Sequence, residues 1–159
     1  MELTTPGLIF QTFPETLALV TLVISIVGSK LELKTILLIG LPHTIIVYLV
    51  RLLDLSFGVH TIILIIILAI LLTIVLKIKF SWSLLVALFA MIILVVAETA
   101  LLMLTLTVTG VEFEQITRDP ILWILYGWPH IIFIFLLAFL INWWQRKRRT
   151  RSKMEKNNG

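Results

Sequence analysis

The stretch VHTIILIIILAILLTIVL, which runs from Val59 to Leu76, decides the fold of this chain. His60 is its only ionisable residue, and every other side chain is apolar or a threonine. About 20 apolar residues at the helical rise cross the hydrocarbon core of a bilayer, and a run of about 18 or more is typical of a membrane span. We therefore interpret this stretch as a transmembrane helix.

The composition of the whole chain points the same way. Of its 159 residues, 60% are hydrophobic and 14% are charged, and the mean hydropathy is +1.11. A soluble domain cannot hide that much apolar surface from water, so the solvent is a bilayer. The chain has no cysteine, which excludes disulfides and thiolate metal sites.

Five apolar runs are long enough to span a membrane. They cover residues 8–28, 35–53, 59–76, 82–108 and 121–144, and residues 145–159 form a polybasic tail. The connections are short, so neighbouring helices run antiparallel. The sequence predicts an all-α integral membrane protein, folded as one compact bundle of about five transmembrane helices.

The basic residues of the loops predict the orientation. Those of the first and third connections fall on the same side as the tail: Lys30, Lys34, Lys77 and Lys79. The acidic loop with Glu112, Glu114 and Asp119 falls on the other side. Because cytoplasmic loops carry the excess of lysine and arginine, we expect the N-terminus outside and the C-terminus in the cytoplasm. The predicted location is the bacterial cytoplasmic membrane, with several passes.

Ionisable side chains inside a membrane are expensive and usually face the bundle interior at functional sites. Here most of them come from four helices and lie in the outer half. We predict a polar pocket that opens outward, with ligand-binding candidates Glu15, His43, Arg51, Asp54, His60, Glu98, Tyr126 and His130. Arg51 and Glu98 have two interpretations: an ion pair that fixes helix register, or a ligand clamp.

All three histidines occur in one recurring pattern. GLPHTII (Gly40–Ile46) returns as GWPHIIF (Gly127–Phe133) and, more weakly, as FGVHTII (Phe57–Ile63). A proline inside a helix frees a carbonyl, and a neutral histidine can donate to a carbonyl on a neighbouring helix. A hinge with a hydrogen-bonding partner and a ligand contact both remain open. A three-histidine metal site is disfavoured, because His60 lies near the surface while the other two lie near the midplane.

The sequence contains no catalytic motif, phosphate loop or zinc signature. We therefore expect no catalytic residues, no metal and no cofactor. One local signal is sharper: Asp119 before Pro120 is a helix N-cap followed by the favoured first-turn proline.

The closing stretch QRKRRTRSKMEKNNG is a polybasic run next to a membrane helix. Its first interpretation is attraction to anionic lipid headgroups. The same electrostatics would serve an acidic protein partner or RNA. The candidate lipid- or nucleic-acid-binding residues are Arg146, Lys147, Arg148, Arg149, Arg151 and Lys153.

Three segments carry a resemblance to a known class: VYLVRLLDLSFGVHTII, ETALLMLTLTVTGVEFEQITRDPILWILYGWPHIIF and the basic end. They resemble the multi-span N-terminal sensor region of Firmicute histidine kinases and its small stand-alone relatives. The likeness covers about residues 8–145 and depends mainly on Arg51, Gly58 with His60, Glu98 and the 127–130 stretch. It implies a sensor that binds something at its outer half and signals through another chain.

Three hypotheses follow. The first is a small membrane sensor or adaptor without enzymatic activity, which signals through a partner chain. The second is a membrane anchor that recruits RNA or an acidic protein through its tail. The third is a substrate-binding subunit of a transporter. Each is compatible with assembly into an oligomer.

Overall fold

The computed structural model describes the backbone of residues 8–53 and 57–157, and the side chains of residues 10–53, 58–119 and 121–149. Within this part all regular structure is helical. A π-helical turn (Leu8–Thr12) leads into α1 (Phe13–Val27), followed by α2 (Leu33–Arg51), α3 (Phe57–Leu76), α4 (Phe80–Thr109), the short α5 (Phe113–Arg118) and α6 (Pro120–Asn157). Five helices, all except α5, are long and apolar enough to cross a membrane. The predicted all-α fold with five candidate spans is confirmed.

Local sequence explains where several helices begin and end. Gly28 and Gly110 follow α1 and α4 with φ of 79° and 68°, a left-handed conformation that glycine adopts without steric cost. The predicted cap at α6 is confirmed, because the Asp119 carboxylate accepts a hydrogen bond from the Ile121 amide at 2.8 Å. Thr12 is helical and makes no side-chain cap for α1.

Hydrogen bonds between helix ends show the helix directions. The end of α3 meets the start of α4 through Thr73 and Ser83, whose hydroxyls lie 2.9 Å apart. The end of α4 meets the start of α6, where the Tyr126 hydroxyl donates to Thr109 at 3.0 Å. By contrast, α1 and α6 run in the same direction, since the Arg149 guanidinium at the far end of α6 donates to the Gly28 carbonyl at 2.6 Å.

α1 is the central helix. Of the residues Phe10–Val27, 61% are buried, against 22% of Gly58–Leu76 in α3. α1 packs against α2, α4 and α6, and α2, α3, α4 and α6 pack in sequence around it. The outer faces of these four helices carry many exposed large apolar side chains, which suits contact with lipid rather than water. We call the end of the bundle where α1 begins and α2 stops the Arg51 end, and the opposite end the tail end.

The last helix is longer than the predicted span. We expected the span to stop near residue 144, yet α6 continues unbroken to Asn157. Hydropathy falls after Trp144, but nothing stops a helix there, because no glycine or proline occurs between Pro129 and Gly159. The described part of the tail is therefore helical and continuous with the membrane-spanning part.

Candidate functional site

Polar side chains from several helices meet at the Arg51 end. The Arg51 guanidinium donates a hydrogen bond to the Thr12 hydroxyl at 3.4 Å, which joins the end of α2 to the turn before α1. Glu15 extends from the first turn of α1 and is half-buried. Glu98 is half-buried on α4. The predicted ligand-binding residues Glu15, Arg51, Glu98, Tyr126 and His130 thus lie towards this end of the bundle.

Three of these ionisable groups lie close enough to interact electrostatically without a direct contact. The charges of Arg51 and Glu98 both act on Glu15, and that of Arg51 acts on Glu98. The expected Arg51–Glu98 ion pair does not form as a direct contact: among the described side chains the one ion pair joins Arg118 to Glu114. Arg51 lies at the exposed end of its helix, where it contacts Thr12 instead. We call Glu15, Arg51 and Glu98 the charge layer.

Beside the charge layer lies a small cavity between the π-helical turn, α4, α5 and α6. Its volume is about 20 Å³, which is room for about one water molecule. Its lining is mixed, with a carboxylate, an amide, an imidazole and two aromatic rings among apolar groups: Gln11, Glu98, Leu102, Ile116, Trp123, Tyr126, Gly127 and His130. Arg51 is not part of this lining, and among the described residues that line the cavity Glu98 is the one acidic or basic group besides the His130 imidazole.

His130 is the buried group that this cavity leaves unsatisfied. It is 2% exposed, and its Nε2 has no hydrogen-bond partner in the described part of the chain. A buried polar atom without a partner is uncommon and calls for an explanation. A ligand or a water molecule in the cavity would supply the missing partner.

The other two histidines are not among the residues that line this cavity. His43 is equally buried, and its Nε2 lies 3.4 Å from the Leu64 carbonyl oxygen on α3, which fits the expected donor role when Nε2 carries the proton. His60 is half-buried near the start of α3, and Asp54 lies outside the described residues. Over the residues described, no group of three His, Asp or Glu side chains is placed to hold a metal ion.

The glycines explain why the GLPH and GWPH stretches resemble each other. A Cβ on Gly40 would lie 2.6 Å from Leu17 Cδ2, and a Cβ on Gly127 would lie 2.6 Å from Gln11 Nε2. Each glycine is therefore a notch that accepts a side chain of the central segment, once from α2 and once from α6. Gly58 in the weaker third copy has nothing within 4 Å of its Cβ position, so that copy does not share this role.

Of the cavity residues that the sequence did not predict, Gln11 has a polar side chain and Trp123 an aromatic ring with an N–H donor. Gln11 is 8% exposed and Trp123 is half-buried. Neither is ionisable, so neither stands out in an apolar run as a charged or titratable side chain does. Gln11 did carry a signal, because it is an amide inside the apolar run LIFQTF and a buried amide needs partners.

The basic residues of the tail end pack close to the protein. Lys147 lies over the ring of Trp143, with 5.2 Å between Nζ and the ring centroid, and Arg148 lies 3.6 Å over the ring of Trp144. Arg149 bonds to the carbonyl of Gly28. The side chains of Arg151 and Lys153 lie outside the described residues.

No protein-family model, curated protein or solved structure matches this chain. The resemblance to the sensor regions of histidine kinases therefore stays a prediction. What the structure establishes is coarser: an all-helical chain with five candidate spans, which is the architecture of a multi-pass membrane protein.

Proposed function

We propose that this chain is a small, non-enzymatic membrane sensor or adaptor, with the cavity at the Arg51 end as its ligand site and a partner chain as its output. The supporting observation is that α6 both lines the cavity, through Gly127 and His130, and continues unbroken to the end of the basic segment. From His130 to Asn157 the helix is about 40 Å long at 1.5 Å per residue. A displacement at one end is thus available to a partner at the other.

Pro129 gives α6 a place to bend next to the cavity. It lies inside the helix and has no amide hydrogen, so the carbonyl of Leu125 loses its usual partner. In the observed conformation the cavity admits about one water molecule. We propose that a ligand enters as α6 bends here, and that the bend is the signal.

The lining favours a cationic group. Glu98 contributes a carboxylate, Trp123 and Tyr126 contribute aromatic rings that attract cations, and His130 Nε2 lacks a partner. Arg51, the group that would hold an anion, points to Thr12. We therefore propose a small primary or quaternary amine as the ligand class, and the outer face of a bacterial cytoplasmic membrane as the side from which it enters.

Intrinsic fluorescence tests the ligand site, because Trp123 lies in the cavity wall. Ethanolamine, choline and sodium chloride at equal ionic strength are titrated into the purified protein in mild detergent. We expect an amine-dependent change that Trp123→Phe abolishes and Glu98→Gln weakens at least tenfold, since a desolvated charge pair is lost. Glu32→Gln removes an exposed carboxylate near the tail end and serves as the matched control. Equal responses to the amines and to sodium chloride contradict the proposal.

The output is tested by capture. The chain is purified from membranes in mild detergent with and without the responsive amine, and co-purifying protein and RNA are identified. The sensor proposal predicts a protein partner whose yield changes with the amine in the wild type and not in Glu98→Gln. Capture of ATPase subunits would favour the transporter hypothesis, and capture of one RNA would favour the anchor hypothesis; either result contradicts the proposal.

A further inference from the structure

A second and larger cavity lies at the tail end, between the loop after α1 and the far part of α6. Its volume is about 350 Å³, against about 20 Å³ for the cavity at the Arg51 end. Its lining comes from two segments far apart in sequence: residues 28–30 of the loop, and Asn142, Gln145, Arg146 and Arg149 of α6. This size is within the range of small-molecule sites.

The charged side chains that are described in this cavity wall are all basic. Lys30, Arg146 and Arg149 line it, and no carboxylate within residues 10–53, 58–119 and 121–149 does. Arg149 also donates to the Gly28 carbonyl, so its guanidinium is held at the cavity wall. Three bases around one concave site attract an anion with several oxygens, because guanidinium groups bind phosphate in two-pronged geometry.

Asn142 adds a neutral polar group to the cavity wall. It is 7% exposed and lines the cavity beside the three bases. A buried amide is expected to have partners. A bound phosphate oxygen would accept from its NH₂ group.

The level of the cavity along α6 suggests the source of the phosphate. Trp143 and Trp144, which directly follow Asn142, are 59% and 51% exposed. Exposed tryptophans at the end of a span lie at the height of the lipid headgroups. Basic pockets between transmembrane helices at this height suit lipid phosphates.

We propose that the cavity formed by residues 28–30 and by Asn142, Gln145, Arg146 and Arg149 binds the headgroup phosphate of an anionic phospholipid. The site differs from the diffuse attraction of a polybasic tail, because it is built by two segments and holds one headgroup. It does not depend on the proposed sensor function.

Paired substitutions with equal loss of charge test the proposal. The purified wild type in mild detergent is titrated with phosphatidylglycerol and, separately, with phosphatidylcholine of the same acyl chains, and retained lipid is counted by native mass spectrometry. Lys30→Gln with Arg146→Gln removes two bases from the cavity. Lys147→Gln with Arg148→Gln removes two neighbouring bases that lie over Trp143 and Trp144 instead. Asn142→Leu keeps all charges.

We expect one phosphatidylglycerol to be retained in preference to phosphatidylcholine. Lys30→Gln with Arg146→Gln should weaken phosphatidylglycerol binding about tenfold or more, since hydrogen bonds to charged groups are lost. Lys147→Gln with Arg148→Gln, the control, should change this binding less than about threefold. Asn142→Leu should weaken it about fivefold on the same grounds. Equal losses in the two charge pairs, or no effect of Asn142→Leu, would mean diffuse attraction and overturn the site.

The remaining arm separates lipid from soluble phosphate. Inorganic phosphate and glycerol 3-phosphate are added as competitors at millimolar concentration. Retention of the lipid in their presence supports a lipid site, because the acyl chains add binding energy along the apolar surface of α6. If either competitor displaces the lipid at the concentration at which that competitor itself binds the protein, the cavity is a site for a soluble phosphate compound. That result would overturn the lipid proposal.

Discussion

Glycines at equivalent positions of one short pattern have different surroundings in this molecule. Gly40 and Gly127 accept Leu17 and Gln11 of the central segment, while Gly58 faces open space. The repeat in sequence indicated a shared role for the histidines. In the structure the glycines, rather than the histidines, have the shared role. At each of the two contacts, a side chain of α1 or of the turn before it occupies the space that a Cβ on the glycine would fill.

Gly127→Ala should destabilise the protein by about 1–3 kcal/mol, the usual effect of overpacking. The new Cβ would lie 2.6 Å from Gln11 Nε2 and 3.0 Å from Gln11 Cδ, and Gln11 is buried. Gly58→Ala is the matched control, and it should keep or raise the melting temperature because alanine favours a helix by up to about 1 kcal/mol over glycine. Thermal melting in detergent measures both.

The double variant Gly127→Ala with Gln11→Ala checks the cause. Removing the Gln11 amide should recover part of the loss, because the clash disappears. If Gly127→Ala and Gly58→Ala melt alike, the notch does not constrain α6.

The candidate site could be predicted from the sequence only in part. Ranking ionisable groups by depth found Glu98 and His130, since a charge or imidazole within an apolar run stands out. Gln11 and Trp123 were not predicted, because neither is ionisable, although the amide of Gln11 inside an apolar run was a usable signal. The same ranking also paired Arg51 with Glu98, when the exposed end of α2 lets Arg51 bond to Thr12.

At the scale of elements, three helices share the charge layer: Glu15 on α1, Arg51 on α2 and Glu98 on α4. With two carboxylates and one guanidinium in one layer, Arg51 offsets the repulsion between Glu15 and Glu98. The interaction should be weaker than the loss of about 3–5 kcal/mol on breaking a buried ion pair, because Arg51 is exposed and the groups do not touch.

A double-mutant cycle on Arg51→Leu and Glu98→Leu should therefore give a coupling of about 0.5–1 kcal/mol, typical of exposed pairs. The double variant should lose less stability than the two single variants together. Once Glu98 is gone, its repulsion of Glu15 is gone too, so the loss of Arg51 costs less. A cycle of Arg51→Leu with Glu32→Leu is the control, since Glu32 lies near the tail end, and it should give no coupling. Additive effects in both cycles would mean that the charge layer does not link α2 to α4.

Helix number and approximate bounds followed from hydropathy, because each span needs about 20 apolar residues. The end of α6 did not, since hydropathy marks the membrane boundary and a helix continues across it wherever no glycine or proline intervenes. The short α5 joins α4 to α6 and buries Ile116 against the bundle.

At the scale of the whole molecule, the central position of α1 was not evident from the sequence. All five runs are apolar enough to span, and hydropathy does not distinguish a helix among helices from a helix in lipid. The distinguishing features of α1 are small and hydroxyl residues buried along it, among them Ala18, Thr21 and Ser25. Thr21 and Ser25 bond to carbonyls four residues earlier in their own helix, so their hydroxyls need no partner from another helix.

Orientation in the membrane is the last prediction, and the lack of native cysteine makes it testable with single cysteines. Glu112 and Lys79 are exposed, and they lie in the connections at the Arg51 end and at the tail end, respectively. Because the loop lysines lie with the tail, a membrane-impermeant maleimide on intact cells should label Glu112→Cys and spare Lys79→Cys. After permeabilisation both should react, which shows that Lys79→Cys is reachable. Labelling of Lys79→Cys alone in intact cells would contradict the predicted orientation. The Arg51 end, with the cavity beside Glu98, would then face the cytoplasm.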